Sequence, residues 1–182
     1  MTTALLIIDI QNDYFPGGAM ALHQPEAAAA NAAKLLAAFR QKGRPVIHVQ
    51  HISTRPGATF FLPNTRGAEI HESVKPQPGE TVFQKNFPNC FRDTKLLAHL
   101  KGAGIDALTI AGMMTHMCVD TTTRAAADLG FACSLAHDAT ATRELAFGGA
   151  KVPAEQVQLS YLAGLNGPFA KVLPADELCR AL

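Results

Sequence analysis

No stretch of this chain is apolar for long enough to cross a bilayer, which takes about 20 such residues in a helix. Its N-terminus runs directly into a strand-like segment, with neither the basic region nor the cleavage site of a secretory leader. Charge of one sign is not in excess: 16 Lys and Arg face 15 Asp and Glu, a formal net charge of +1. That balance gives no reason to expect nucleic acid or a membrane surface as partner. The four cysteines, Cys90, Cys118, Cys133 and Cys179, form no CxxC pair and no evident disulfide framework. The first strand is not followed by GxGxxG, no phosphate-cradling glycine loop ends in Gly-Lys-Ser/Thr, and there is no polar low-complexity tract. These absences predict a folded cytoplasmic chain that binds no nucleotide.

With 182 residues, 48% hydrophobic and 17% charged, the chain fits one domain over 1–182 with room for a real core. Strand-like runs at 4–10, 45–52, 81–85, 107–113, 131–136 and 169–173 alternate with helical ones. The helices fall at 25–42, from Asp93 or Thr94 to about Gly102 or Gly104, from Cys118 to Gly130, from Pro153 to about Gly164, and at 175–182. Such alternation predicts an α/β fold of three αβα layers. Its centre is a doubly wound, mostly parallel sheet of about six strands, Rossmann-like in architecture without the dinucleotide motif. The polar 53–80 segment, punctuated by proline and glycine, reads as a loop or lid.

The segment Gly112-Met113-Met114-Thr115-His116-Met117-Cys118-Val119 joins the buried 107–113 strand to a helix, so Cys118 falls where a strand gives way to a helix N-terminus. Unpaired N–H groups and the positive dipole end favour a thiolate there. An ordinary cysteine is only about 3% thiolate at neutral pH, so the position predicts a raised reactive fraction. Asp9 ends the apolar run Ala4-Leu5-Leu6-Ile7-Ile8 and needs a partner if buried. Lys85 ends the 81–85 strand. In an open parallel sheet, the carboxyl ends of the strands share the edge where ligands bind. Acid, cation and thiol on that edge make a base, a charge stabiliser and a nucleophile.

With these motifs the chain resembles the isochorismatase-like cysteine hydrolase superfamily. The likeness rests on Leu6-Ile7-Ile8-Asp9-Ile10-Gln11-Asn12-Asp13-Tyr14-Phe15, on Lys85-Asn86-Phe87-Pro88-Asn89-Cys90-Phe91-Arg92-Asp93-Thr94 and on the Gly112-to-Val119 segment. By that resemblance Asp9, Lys85 and Cys118 match a catalytic triad, and Met113–Met114 matches a non-proline cis peptide. That peptide would aim the Met114 N–H, with the Cys118 N–H, at a developing oxyanion. The implied activity is cleavage of a C–N bond in a small amide, carbamoyl or lactam-like compound through a Cys118 thioester, without a cofactor. Dimers, tetramers or larger rings are common among such relatives, so a homo-oligomer is expected. Nicotinamidase-type relatives hold a metal with an Asp-x-His pair after the second strand. Here that region reads His48-Val49-Gln50-His51-Ile52-Ser53-Thr54, and His51 with His71 alone makes a weak ligand set, so no metal is expected.

Phe15, Phe60, Phe61 and Phe87 flank these motifs and are candidates to touch substrate. His116, just before Cys118, is another. Gln11, taken to lie on the same face of the first strand as Asp9, is a candidate to orient it or touch substrate. Asp138 reads as a structural cap and Cys133 as core, while Cys90 lies near enough to Lys85 in sequence to approach the pocket. Two other activities compete with amide cleavage. Isochorismate-like vinyl-ether hydrolysis is disfavoured because relatives with that activity generally lack the cysteine. A ligand-binding or redox-sensing member of the fold would not need the intact acid, lysine and cysteine set.

Overall fold

The computed structural model describes residues 1–182. Strands β1 (Thr3–Ile8), β2 (Val46–His51), β3 (Thr81–Lys85), β4 (Ala107–Met113), β5 (Ala132–Ala141) and β8 (Lys171–Leu173) form one six-stranded sheet in the order β3-β2-β1-β4-β5-β8. Every neighbouring pair is parallel, so the predicted α/β sheet is present. Successive side chains of β1 separate into two cores. Leu5 and Ile7 join α1 (Pro25–Gln41) and α5 (Ala175–Arg180) on one face. Ala4, Leu6 and Ile8 join α2 (Leu96–Gly102), α3 (Asp120–Asp128) and the end of α4 (Ala154–Leu165) on the other. A strand covered on both faces needs apolar residues at every position, which is why β1 reads as an unbroken apolar run. Helix α1 starts with Pro25 in its first turn and buries Ala28, Ala29, Ala32, Leu35, Leu36 and Phe39, the three-and-four spacing of one helical face. No helix is long and apolar enough to cross a membrane.

Several boundaries differ from the sequence reading. Strand β1 stops at Ile8, not residue 10, because Asp9 turns into the left-handed region at φ 51°. Strand β5 does not stop at Ala136. It passes an irregularity opposite Ile110–Gly112 and resumes pairing, Thr140 against Gly112 and Ala141 against Met113. Asp138, within that irregular stretch, accepts from the Ala175 N–H at 2.8 Å and caps α5 as expected. A hairpin that was not anticipated, β6 (Leu145–Phe147) and β7 (Ala150–Val152), turns at Gly148-Gly149. The 53–80 segment carries two 3-10 turns, Arg66–Ala68 and Glu72–Val74. Between β4 and α3 lies a π-helical turn, Thr115–Val119, so Cys118 sits in this wider turn and not at the first residue of α3.

Gly112 lets β4 approach β1 just before Asp9. Its φ is 147°, and a Cβ there would fall against the backbone oxygen of Ile8. At the other edge, Glu80 fixes the start of β3. Its carboxylate takes both Arg40 donors (2.7 and 2.8 Å), the Gln77 N–H (2.8 Å) and His48 Nε2 (2.9 Å). The Arg40 bond, opposed by burial and aided by Gln77 and His48, lowers the Glu80 carboxyl to about 2 from an ordinary 4.5. A carboxylate held below its ordinary value stabilises the fold above that value and loses its contribution as pH falls through the folded one. Glu80→Gln should therefore destabilise the protein at pH 7 by about 1.5–3 kcal/mol, the worth of a charged hydrogen bond. Urea midpoints of the two proteins should converge as pH drops from about 4.5 toward 2.

Candidate active site

The sheet reverses its winding between β1 and β4, and the residues following those strands meet at its carboxyl edge, the crevice where open α/β sheets bind ligands. Asp9 leaves β1 there, and Cys118 arrives on the π turn after β4. Lys85, at the end of β3 and paired with His51 of β2, extends across β2 to join them. Its ammonium donates to Asp9 Oδ2 at 2.6 Å, to His51 Nδ1 at 3.0 Å and to Cys118 Sγ at 3.2 Å, which uses all three donors. Asp9, Lys85 and Cys118 are 0%, 2% and 4% exposed. Asp9 Oδ1 is buried without a hydrogen-bond partner.

Burial decides the charge states here. It works against the Lys85 ammonium, but the adjacent Asp9 and Cys118 more than offset it, and the Lys85 pKa is raised. Burial and then Asp9 push the Cys118 thiol well above its ordinary value, and the opposing pull of Lys85 is smaller. This runs opposite to the raised thiolate fraction that the helix-end position predicts. The helix-end donors and the lysine do not outweigh desolvation beside a carboxylate that already holds the ammonium. His51 is lowered to about 4, first by burial and then by Lys85, so its ring is neutral and, with Nδ1 accepting, carries its proton on Nε2. Asp9, His51 and Cys118 place ligand atoms within 4.8 Å of one another, a spacing that suits a metal ion. The Lys85 ammonium bonds to all three and already supplies the positive charge at their centre, so this donor set does not fit a second cation.

Above Sγ lies a cavity of about 280 Å³. Phe60, Phe61 and Phe87, the candidates to touch substrate, line it together with Tyr14, Met114 and Met117. Tyr14 packs on Phe61 with ring centroids 4.5 Å apart, and Phe61 meets Phe60 at 4.9 Å. Asp13 holds this wall in place. Its carboxylate accepts from the Phe61 N–H at 2.6 Å and from the Ala19 N–H at 3.1 Å. Gly67 leaves room for that carboxylate, which a Cβ would strike. The Met113–Met114 peptide is cis.

Three anticipated contacts lie elsewhere. Gln11 is fully buried and spends its amide on backbone, donating to His51 O (2.9 Å) and Ala68 O (2.8 Å) and accepting from His51 N–H (2.7 Å). It ties β2 to the 53–80 segment because β1 ends before it. Phe15 stacks on the His71 ring at 3.7 Å, and neither residue lines the cavity above Cys118. His116 is buried beside the cavity wall, with Nδ1 2.5 Å from Thr142 Oγ1. Cys90 is buried behind the site, bonded through its N–H to Thr122, and burial pushes its thiol up to about 12. Cys133 is core, as read.

Tyr14, Arg55 and Arg143 line the cavity and were not anticipated. Tyr14 stands inside a quoted motif, and Arg143 falls at the edge only because β5 continues to Ala141.

The isochorismatase domain family matches residues 3–159. The isochorismatase family protein YddQ of Bacillus subtilis (strain 168) is 54% identical over 180 residues, covering 99% of this chain and 100% of that protein. A crystal structure from Oleispira antarctica, named for an isochorismatase hydrolase, superposes with TM-score 0.95 at 53% identity, covering 98% and 96% of the two chains. Streptothricin hydrolase of Streptomyces noursei is 39% identical over 142 residues, 78% of this chain and 50% of that protein. The chain belongs to the isochorismatase family of hydrolases.

Proposed function

We propose that this protein hydrolyses a C–N bond of a small amide, carbamoyl or lactam-like compound, with Cys118 as nucleophile. The observation that carries this reading is the single buried ammonium of Lys85, bonded at once to Asp9 Oδ2 and Cys118 Sγ. Asp9 Oδ1, the buried acceptor left free, takes the thiol proton as Sγ attacks the carbonyl carbon. Charge then moves to the carbonyl oxygen, where the N–H groups of Met114 and Cys118 receive it. A donor of this kind is worth about 2.7–4 kcal/mol in the transition state. The tetrahedral species expels the amine, which takes the proton held by Asp9, and a thioester remains. Asp9 next removes a proton from water, the hydroxyl oxygen attacks the thioester, and acid and free thiol are released. Lys85 balances negative charge on Asp9 or sulfur at each stage. Streptothricin hydrolase, by its name a hydrolytic relative, agrees with the class of reaction.

The test is ammonia release across a panel of small amides, with intact-protein mass spectrometry of acid-quenched samples to trap the thioester. Cys118→Ala should abolish both the adduct and at least 99.9% of turnover, since loss of a nucleophile that works with its base removes several powers of ten. Turnover that survives Cys118→Ala would overturn the reading and favour hydrolysis without a covalent step.

A further inference from the structure

The turn that carries Cys118 is held from the side away from the cavity. Thr115 opens it, one residue after Met114 and three before Cys118, and is fully buried. Its hydroxyl donates to Gln158 Oε1 of α4 at 2.6 Å. The amide nitrogen of Gln158 donates in turn to Thr140 Oγ1 at 2.8 Å and to His137 O at 3.3 Å, and the Thr140 hydroxyl donates to His137 O at 2.9 Å. One side chain thus ties the π turn to the stretch of β5 where its register against β4 breaks. Neither Thr115 nor Gln158 lines the cavity above Cys118, and Gln158 borders a different one, of about 400 Å³, with His23, Asn31 and Glu155. Helix α4 buries only Val157 and Leu165, so core packing does not account for an inward-facing glutamine beside Val157. An apolar side chain in its place would leave the Thr115 hydroxyl buried without an acceptor, which is unfavourable. The turn has a second tie, His116 Nδ1 to Thr142 Oγ1 at 2.5 Å, so removing the first should loosen it without unfolding it.

We propose that Gln158 is a positioning residue: through Thr115 it fixes the turn whose Met114 and Cys118 N–H groups receive the charge that develops on the carbonyl oxygen. This rests on the cysteine-hydrolase reading and adds to it a residue that touches neither the substrate nor the reacting atoms. Oxyanion donors act only at hydrogen-bond distance from where the charge will stand, and a displacement of about 1 Å can cost on the order of 10²-fold in rate. One peptide unit joins Thr115 to Met114, so a shift in the anchor of Thr115 moves that N–H directly. The aromatic walls that would hold the substrate body come from other elements. Tyr14 stands on the turn after β1, Phe60 and Phe61 on the 53–80 segment and Phe87 on the loop after β3, and none of them bonds to Gln158. Loss of Gln158 should therefore slow the reaction of bound substrate and leave binding alone.

The test is steady-state ammonia release from whichever small amide of the panel the unaltered enzyme hydrolyses fastest. Rates are expressed per Cys118 that iodoacetamide labels, so that loss of folded protein does not count as loss of rate. Gln158→Met and Thr115→Val should each lower kcat by about tenfold or more and leave KM within about threefold. The double variant should be no slower than the slower single one, because both changes break one bond. Thr115→Ser, which keeps the donor, should recover most of the rate. Gln156→Met, the same exchange at an exposed position of α4, should leave kcat alone. A fall in Tm with kcat per labelled Cys118 unchanged would make Gln158 merely structural and overturn the assignment. A rise in KM without a fall in kcat, or losses that multiply in the double variant, would also overturn it, with the hydrolase reading left standing. If the unaltered enzyme hydrolyses no amide in a Cys118-dependent way, the hydrolase reading itself falls, and the assignment with it.

Discussion

Asp9→Asn should lower turnover by about 10²–10⁴-fold, the usual worth of a placed general base, and yet make Cys118 easier to ionise. The two effects have one cause. In the unaltered protein a single ammonium, Lys85, is shared between the Asp9 carboxylate and the Cys118 sulfur. Burial pushes the thiol up, and once the carboxylate holds the ammonium a second anion alongside is unfavourable as well. Asparagine keeps the shape but removes the competing negative charge, leaving Lys85 as a buried cation bonded to His51 and to the thiol, and of these two only the thiol can become an anion. Sulfur should then give up its proton at lower pH than before. Iodoacetamide labelling of Cys118 against pH, read by peptide mass spectrometry, measures the shift, with buried Cys90 and Cys133 as internal controls. A labelling profile that stays put or moves to higher pH would mean that Asp9 does not act on the sulfur. Turnover within tenfold of the original would remove Asp9 from the role of base. Labelling and turnover moving in opposite directions is the signature of a base beside a neutral thiol, and a pre-formed thiolate pair would not give it.

That outcome bears on what the chain reveals before folding. The order of apolar runs and glycines was enough to read the parallel sheet, because strands covered on both faces are largely apolar, as β1 is from Ala4 to Ile8 and β4 is apart from Thr109. Asp9 follows such a run, Lys85 ends the short edge strand β3, and Cys118 lies on the turn after β4, so the three positions could be read from where the strands end. The charge state of Cys118 was not. Position at a helix end argues for a thiolate, whereas the degree of burial and the prior claim of Asp9 on Lys85 exist only in three dimensions. Gln11 was misplaced for a related reason: the turn at Asp9, with φ 51°, breaks the strand alternation on which its orientation was inferred. Arg143 was missed because His137 and Asp138 read as the end of a strand. They occupy an irregularity that β5 passes through, held by the bond from Ala175 N–H to Asp138. The hairpin at Gly148-Gly149 carried a legible turn signal in its glycine pair.

Lys85→Met should destabilise the fold by about 3–5 kcal/mol, the loss expected when one partner of a buried ion pair is removed and the other remains. For a chain of this size that corresponds to a fall of roughly 6–20 °C in Tm, at about 2–4 °C per kcal/mol. The source of the loss is Asp9, not the missing contacts of the lysine stem, since methionine restores most of the apolar volume. Asp9 is fully buried and its other oxygen has no partner, so without the ammonium its charge is uncompensated. The deficit should therefore shrink in the double variant Asp9→Asn with Lys85→Met, which replaces an ion pair by two neutral groups, an exchange that is often close to neutral in stability. Thermal unfolding of the two single variants and the double variant closes the cycle. A double variant less stable than Lys85→Met alone would place the loss in packing and not in charge. All three should turn over an amide at no more than about 1% of the original rate, and a stable double variant slowed in this way would mark the pair as kept for chemistry, at a site the fold could fill without it.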